Sequence, residues 1–183
     1  MLTHDFLDEF KCATEEKWSK CSINPTLYGF QFQRGTRWNP GLSDEKITEY
    51  ENALGVRFPH DFRSFLQSAN GTDLPTINVY AHYGEPHRRS IGVYSYSRDI
   101  EAVKQRIEGV RQERTELQKT MAEQGFVLAP EDALVPVYRH RYVVCTSNLD
   151  SSVVLSIADE GDAIVYGNSL SEYLEREFMR GSF

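Results

Sequence analysis

Cysteine is scarce in this 183-residue sequence, and its spacing excludes two common structural frameworks. The three cysteines are Cys12, Cys21 and Cys145, an odd number without a close-spaced pair. A disulfide scaffold needs paired cysteines and a zinc ribbon needs close-spaced ones, so the sequence encodes neither. We therefore expect reduced thiols, which are typical of a cytoplasmic protein.

Long apolar runs are also missing. No segment approaches the roughly 18 continuous apolar residues of a membrane-spanning helix. The N-terminal segment, MLTHD, soon becomes acidic and has neither the basic nor the apolar region of a secretory signal. The sequence therefore predicts a cytoplasmic protein that is neither secreted by a standard signal nor embedded in a membrane.

Basic residues are outnumbered by acidic ones. The chain has 20 Lys and Arg against 27 Asp and Glu, which gives a formal net charge of -7. A general nucleic-acid binder needs a basic surface, because binding releases counterions from the phosphate backbone. The charge therefore argues against direct nucleic-acid binding. An acidic surface suits a basic protein partner, and it also simply favours solubility.

The motifs of the commonest enzyme and cofactor sites are absent. There is no Walker loop, no GxGxxG and no GxSxG. The histidines form no HxxxH or HxH pair, and no cysteine lies at ligand spacing from any of them. The five are His4, His60, His82, His87 and His140. The sequence therefore predicts no metal and no cofactor.

A Cys–His catalytic pair is disfavoured by geometry. Cys145 lies five residues after His140, and an odd separation places two side chains on opposite faces of a strand. Cys145 also ends the apolar run YVVC, where a buried, inert thiol is expected. We therefore assign no catalytic residue to this pair.

The segment Tyr138-Arg139-His140-Arg141-Tyr142 interleaves basic and aromatic side chains. Such side chains can stack on bases and pair with phosphate. The alternative is structural: His140 and Arg141 bond carboxylates or carbonyls at the end of a strand. Five residues in a protein of charge -7 are a weak signal for nucleic acid, so the structural interpretation is favoured.

Residues 38–71 predict two short helices that share one apolar face. Ser43 can cap the first helix, and Gly55 can take the left-handed conformation that ends it. Pro59 suits the start of the second helix, and Gly71 follows its end. The apolar residues at helical spacing, expected to be buried, are Ile47, Tyr50, Leu54, Phe62, Phe65 and Leu66.

The rest of the chain alternates helical and strand patterns. A helix is predicted from Asp5 to about Trp18, a long charged amphipathic helix over 97–124, and a final helix capped by Asn168 or Ser169. Strands are predicted at 27–33, 76–81, 90–96, 134–138, 141–145, 152–157 and 163–166. Helices at both ends of a mainly antiparallel sheet indicate an α+β fold, in a single domain of residues 1–183.

Two sets of residues together carry a family resemblance. The first set is Trp38, Gly41 and Ser43, followed by Phe58, Pro59, Phe62, Leu66 and Gly71; the second is His140, Arg141, Tyr142 and Gly167. In this order and at these distances they resemble the SUKH superfamily, the Smi/Knr-like fold. The resemblance covers residues 36–178 and leaves residues 1–20 as an N-terminal helical extension. At position 139 bacterial relatives commonly have Gly, where this chain has Arg.

The resemblance implies a non-enzymatic α+β domain that binds proteins. Bacterial members are similar to immunity proteins that neutralise toxins, often nucleases or deaminases, whereas fungal members regulate cell-wall synthesis through partner binding. The leading hypothesis is an immunity protein whose acidic surface occludes the basic active-site cleft of a toxin. A regulatory or scaffold protein of the Smi/Knr type is the alternative, and an enzyme using His140 with nearby carboxylates is the third interpretation.

The partner contacts are expected on loops around the sheet and not in the family motif. The apolar motif residues should be buried, so they identify the family without forming its binding site. The candidate contacts are Tyr80, Tyr83, Glu85, Tyr94, Glu131 and Asp132. These residues combine carboxylates with tyrosine, a residue type that is enriched at protein interfaces.

Overall fold

The structure, a computed structural model, describes residues 2–79, 88–158 and 162–180, without the side chain of Arg88. The helices in these ranges are α1 (His4–Lys20), α2 (Asp44–Leu54), α3 (His60–Ser68), α4 (Ile100–Gln112), α5 (Arg114–Glu123) and α6 (Leu170–Leu174), which continues into a π-helical turn, Glu175–Met179. None of these helices is both long and apolar enough to cross a membrane.

The strands in the described ranges are short. They are β1 (Gly29–Gln31), β2 (Trp38–Pro40), β3 (Ala69–Thr72), β4 (Thr76–Val79), β5 (Arg88–Ser90), β6 (Ala133–Tyr138), β7 (Arg141–Cys145), β8 (Val154–Ile157) and β9 (Ala163–Gly167). Every pairing among them is antiparallel. The predicted α+β class is therefore confirmed.

The strands form three sheets, of which the largest is a meander. Strands β6, β7, β8 and β9 pair in chain order; β1, β4 and β5 form a second sheet, and β2 pairs with β3. The segment after β5 runs along the outer edge of β6, where Val93 forms an isolated bridge with Tyr138. There the Tyr94 N–H donates to the Val137 carbonyl at 3.0 Å. This contact brings residues of the second sheet's strand β5 close to the meander.

The local signals of the sequence set the helix ends as expected. The side chains of Thr3, Ser43 and Ser169 each accept a hydrogen bond from the backbone N–H three residues later, which satisfies a donor that the helix leaves free. Gly55 ends α2 in the left-handed conformation, with φ of 67°. The predictions at Ser43, Gly55 and Ser169 are therefore confirmed.

An aromatic cluster joins α1 to the helix pair and to the C-terminus. Phe10 and Trp18 of α1 are fully buried. The Phe10 ring centroid lies 5.3 Å from that of Trp38 and 5.8 Å from that of Phe178. Trp18 stacks on Phe32, with 4.4 Å between the ring centroids. Aromatic pairs at these distances stabilise beyond their burial, so α1 is an integral part of this core.

A second apolar cluster lies between α5 and the four-stranded sheet. Leu117 and Met121 of α5 are buried against Leu134 and Leu155 of the strands. The predicted narrow stripe of the charged helix is therefore the face that packs on the sheet. Several charged side chains of α4 remain exposed to solvent, among them Glu101, Lys104, Glu108 and Arg111.

The long charged helix predicted over 97–124 is broken at Glu113. This residue has φ of -96° and ψ of 10° and separates α4 from α5. Helix α4 packs on β6 and α5 packs on β9, which lie at opposite edges of the four-stranded sheet. The break lets one amphipathic segment pack across both edges of the sheet. The 3.6-residue repeat of apolar residues in the sequence gives no sign of this break.

Several short strands differ from their predictions. Strands β2 (Trp38–Pro40) and β3 (Ala69–Thr72) pair although Pro, Asn and Gly are poor strand residues. Within the predicted strand 90–96, only Ser90 and the bridge at Val93 are paired. Strand β1 is shorter than the predicted 27–33, and Tyr28 is 58% exposed whereas Phe32 is 2% exposed. Tertiary contacts therefore override weak local patterns here.

Strand β9 is the last strand of the meander, and no described strand pairs with its outer side. Two side chains bond carbonyls of this strand. Gln124 Nε2 donates to the Ala163 carbonyl at 2.6 Å, and Arg176 Nη1 donates to the Tyr166 carbonyl at 3.0 Å. These acceptors therefore have partners from outside the sheet.

Candidate functional site

A pocket of about 880 Å³ opens between α4 and the turn that joins β6 to β7. Its lining includes Phe30, Tyr94, Arg106, Arg139, His140 and Tyr142. Three of the five residues in the basic-aromatic segment 138–142 therefore line one cavity, together with an arginine and a tyrosine from elsewhere in the chain. We call this cavity the α4–hairpin pocket.

The β6–β7 turn places Arg139 in an unusual backbone conformation. Tyr138 pairs with Arg141, so Arg139 and His140 form a two-residue hairpin turn. Arg139 has φ of 56°, and it is the one non-glycine residue with positive φ in the described part of the chain. A left-handed residue other than Gly costs roughly 1–2 kcal/mol. Glycine, which has no Cβ, would adopt this conformation without that cost.

The Arg139 side chain is buried beneath the pocket, with 6% of the residue exposed. Its guanidinium lies over the Phe30 ring, and its Nη2 donates to Thr76 Oγ1. Burial lowers the pKa of Arg139 to about 10, although the neighbouring Tyr138 hydroxyl favours the charged form. Its buried Nε has no hydrogen-bond partner among the described residues. A cation is thus held here by an aromatic face and hydroxyl groups.

Arg106 supplies a second guanidinium from the exposed face of α4. Burial opposes its charge, but the neighbouring Tyr94 and Tyr142 favour the charged form and hold the pKa of Arg106 above its ordinary value. Tyr94 also lies close enough to Arg139 to favour the charged form of that group. The two cations therefore share Tyr94 as a neighbour.

Arg141 is engaged within its own domain, as the structural interpretation of this segment predicts. Its Nε lies 3.1 Å from Glu177 Oε2, and its Nη1 donates to Ser156 Oγ at 2.8 Å. Its guanidinium lies over the Tyr166 ring, 4.0 Å from the centroid. Both charged side chains are largely buried, 13% and 11% exposed. Arg141 therefore ties β7 to the C-terminal helical turn.

His140 is half-buried at the pocket, and its backbone carbonyl accepts a hydrogen bond from the Ile157 N–H at 2.9 Å. Glu113 is the one carboxylate among the described residues that line the pocket. Cys145 is not part of the lining, and burial raises the pKa of its thiol. The pocket therefore offers hydrogen-bond donors and aromatic side chains, which are groups suited to binding a ligand. The described residues also contain no group of three or more His, Cys, Asp or Glu side chains placed to hold a metal ion.

The candidate partner contacts fall into three groups. Tyr80, Tyr83 and Glu85 lie outside the described residues. Glu131 is exposed, whereas the half-buried Asp132 accepts a hydrogen bond from the Ala129 N–H at 2.9 Å and so holds the turn before β6. Tyr94 is 8% exposed and lines the α4–hairpin pocket. Tyr94 therefore joins the 138–142 segment in space, away from an open loop surface.

Sequence reasoning missed Arg106 as a pocket residue. It is one of many charged residues on α4, and neither its spacing nor its neighbours distinguish it from a solvated side chain. Arg106 can be recognised as a pocket residue only once the packing of α4 on β6 is known.

The family-motif residues of the helix pair serve the fold. Trp38, Phe58, Phe62 and Leu66 are at most 7% exposed and lie in the main core. Ser43 and Pro59 occupy the N-cap positions of α2 and α3.

The motif glycines allow close backbone approach. A Cβ on Gly41 would lie 1.7 Å from the Gln67 carbonyl oxygen, one on Gly71 would lie 2.7 Å from Ser95 Cβ, and one on Gly167 would lie 3.0 Å from Tyr173 Cβ. The motif therefore specifies structure, as expected from its apolar stripes.

The architecture defines a class of protein: an α+β domain in which a capped, motif-bearing helix pair precedes an antiparallel meander and a short C-terminal helix. The family model described as SMI1 / KNR4 family (SUKH-1) matches residues 41–176 of the 183-residue chain, and the chain belongs to this family. The family is generally non-enzymatic. No curated protein matches the chain.

Proposed function

We propose that this chain is an immunity protein that binds a toxin domain, of the nuclease or deaminase type, and occludes its active site. Membership of the SMI1 / KNR4 family carries the proposal, because it supports a protein-binding role of the immunity or Smi/Knr type. On this proposal the chain is not an enzyme, and it acts in the cytoplasm on a toxin that has arrived there.

The charge of the chain supports a toxin partner with a basic active-site cleft. A formal net charge of -7 attracts such a cleft over several ångströms and raises the association rate. Enzymes that act on nucleic acid need positive charge to hold their substrate, so an acidic protein competes for the same surface. The acidic balance also disfavours nucleic acid as a direct ligand of this chain.

The proposed contact surface includes the loop before β6. Glu131 is its described, exposed carboxylate, with Asp132 beside it. The proposal retains Tyr80, Tyr83 and Glu85 as contacts, and these three lie outside the described residues. Tyr94 is proposed to contribute only through the α4–hairpin pocket, because little of it reaches solvent.

Co-expression with the toxin encoded beside this gene tests the proposal. We expect the chain to rescue growth and to co-purify with the toxin domain. The Glu131→Lys variant should weaken binding about tenfold, mainly by slowing association. Glu9→Lys is the matched control, because it makes the same charge change at an exposed position on α1. Unabated killing by the toxin without co-purification would overturn the proposal. Equal losses of affinity in the two variants would show that Glu131 is not part of the contact surface.

The alternative function, a regulatory or scaffold protein of the Smi/Knr type, rests on the same family membership. It predicts a gene without a toxin neighbour and recovery of host enzymes in pull-downs from the source cells.

An enzyme that uses His140 is the third interpretation. The His140→Ala variant should still neutralise the toxin if the chain acts by binding alone, whereas loss of neutralisation with intact toxin binding would favour catalysis.

A further inference from the structure

The α4–hairpin pocket concentrates positive charge on a protein that is acidic as a whole. Arg106 and Arg139 line it, and Glu113 is the one carboxylate in the described lining. Within the described part of the chain, neither arginine lies within salt-bridge distance of a carboxylate, in contrast to Arg63 and Arg141. A chain of charge -7 has many carboxylates available, so two guanidinium groups in one cavity that have no carboxylate partner among the described residues require an explanation.

Of the two arginines, Arg139 gives the stronger evidence for a ligand in the pocket. The residue is 94% buried, and its Nε lacks a hydrogen-bond partner among the described residues. Its backbone adopts the left-handed conformation that costs an L-residue free energy. A buried cation and a strained backbone are both unfavourable, and glycine would relieve both. The chain nevertheless has arginine here, at a position that lines a cavity, despite the free-energy cost of the buried charge and the strained backbone.

The remaining lining suits a planar group that carries a charge. Phe30, Tyr94 and Tyr142 place aromatic carbon atoms and two hydroxyl groups in the lining beside the guanidinium groups. The volume of about 880 Å³ falls within the roughly 300–1,000 Å³ of pockets that bind small molecules. Two guanidinium groups match the charge and the oxygen geometry of a phosphate.

We infer that the α4–hairpin pocket binds a small phosphate monoester that also carries a planar ring, with Arg106 and Arg139 holding the phosphate and the aromatic side chains contacting the ring. This site goes beyond the proposed function and does not depend on it. The phosphate monoester of an aryl group and that of a nucleoside share this chemistry, so the two sources are compared in the experiment.

The experiment is a titration of the full chain by NMR, observing the Nε–H groups of the arginine side chains. The probes are phenyl phosphate and adenosine monophosphate, with phenol as the control for the ring without its charge. We expect saturable shifts of the Arg106 and Arg139 signals with at least one phosphate ester and a dissociation constant at least about tenfold higher for phenol. Whichever ester binds more tightly identifies the source.

Arg106→Gln is the informative variant, because Arg106 is exposed on a helix and its loss should leave the fold intact. It should raise the dissociation constant about tenfold or more, whereas Arg106→Lys should restore part of the affinity. Arg111→Gln is the matched control on the same helix, outside the pocket and paired with Glu108 at 3.3 Å. Non-saturable shifts, equal affinity for phenol, or equal losses in the Arg106 and Arg111 variants would overturn the inference.

Discussion

Glu51 of α2 and Arg63 of α3 form a salt bridge at 2.7 Å in which the carboxylate is 2% exposed. The second carboxylate oxygen accepts a hydrogen bond from the Phe58 N–H at 2.7 Å, in the segment between the two helices. One buried acid therefore holds both helices and their connection. A guanidinium and a backbone donor replace the water that this carboxylate loses on burial.

Replacing Glu51 with Ala should lower the free energy of unfolding by about 2–3 kcal/mol, because the buried Phe58 N–H loses its acceptor and Arg63 loses the buried one of its two carboxylate partners. Urea unfolding measures the change. The control is Glu49→Ala on the exposed side of the same helix, which should alter stability by less than about 0.5 kcal/mol. Equal effects of the two substitutions would contradict the role of Glu51.

Alanine at Gly41 and at Gly109 should change stability in opposite directions. A Cβ at Gly41 overlaps the Gln67 carbonyl oxygen, so Gly41→Ala should lower the free energy of unfolding by more than about 2 kcal/mol or prevent folding. Gly109 lies within α4 with open space around its Cβ position, and Gly109→Ala should raise the free energy by about 0.8–1 kcal/mol. Thermal unfolding provides the comparison, and a stable Gly41→Ala variant would show that the close approach is not required.

Truncation of Phe10 should show that α1 carries part of the core. The Phe10 side chain is fully buried among aromatic rings, so Phe10→Ala should cost about 3–5 kcal/mol of unfolding free energy. Phe6→Ala, one turn earlier and only half-buried, should cost clearly less. Chemical denaturation followed by tryptophan fluorescence tests both, since Trp18 and Trp38 are buried nearby. A small loss in both variants would mean that α1 is a dispensable extension.

The cysteines should differ in reactivity under native conditions. Cys12 is exposed, whereas Cys145 is buried and burial raises the pKa of its thiol, which suppresses the reactive thiolate. Labelling at pH 7–8 should therefore modify Cys12 first and Cys145 only after unfolding. Mass spectrometry of the labelled peptides locates the modification. Rapid native labelling of Cys145 would contradict its placement in the core and reopen a chemical role for this thiol.

Glycine at position 139 should separate stability from the chemistry of the pocket. Arg139→Gly relieves the left-handed strain, roughly 1–2 kcal/mol, and loses a cation–π contact of comparable size. We expect the free energy of unfolding to stay within about 1 kcal/mol of the parent value, as measured in urea. Arg141→Gly, two residues later, should cost at least about 2 kcal/mol because Glu177 is left buried without its partner. Equal losses would make Arg139 a structural residue like Arg141.

Local signals explain which parts of the fold could be predicted. The cap at Ser43, the left-handed Gly55 and the strands β6 and β7 depend on neighbours within a few residues, and the sequence predicts them closely. Strand β2 depends on its pairing with β3, about thirty residues later in the chain, and its own residues disfavour a strand. Partner-dependent elements of this kind have no local pattern to detect.

The candidate site divides in the same way. The segment 138–142 is visible in the sequence because its basic and aromatic residues are adjacent. Arg106 and Tyr94 reach that segment only through the packing of α4 and the bridge at Val93. The family resemblance includes His140 and Tyr142, but it does not identify Tyr94 and Arg106, which lie outside the motif and complete the cavity.

The outer edge of β9 restricts how copies of this chain can associate. An exposed strand edge offers free backbone groups to any other strand, which is a common route to aggregation. Gln124 and Arg176 already occupy the Ala163 and Tyr166 carbonyls, so an incoming strand would have to displace both side chains before it could pair. The outer edge of β9 is therefore protected, and this protection disfavours the edge-to-edge strand pairing by which copies of the chain could form a fibril.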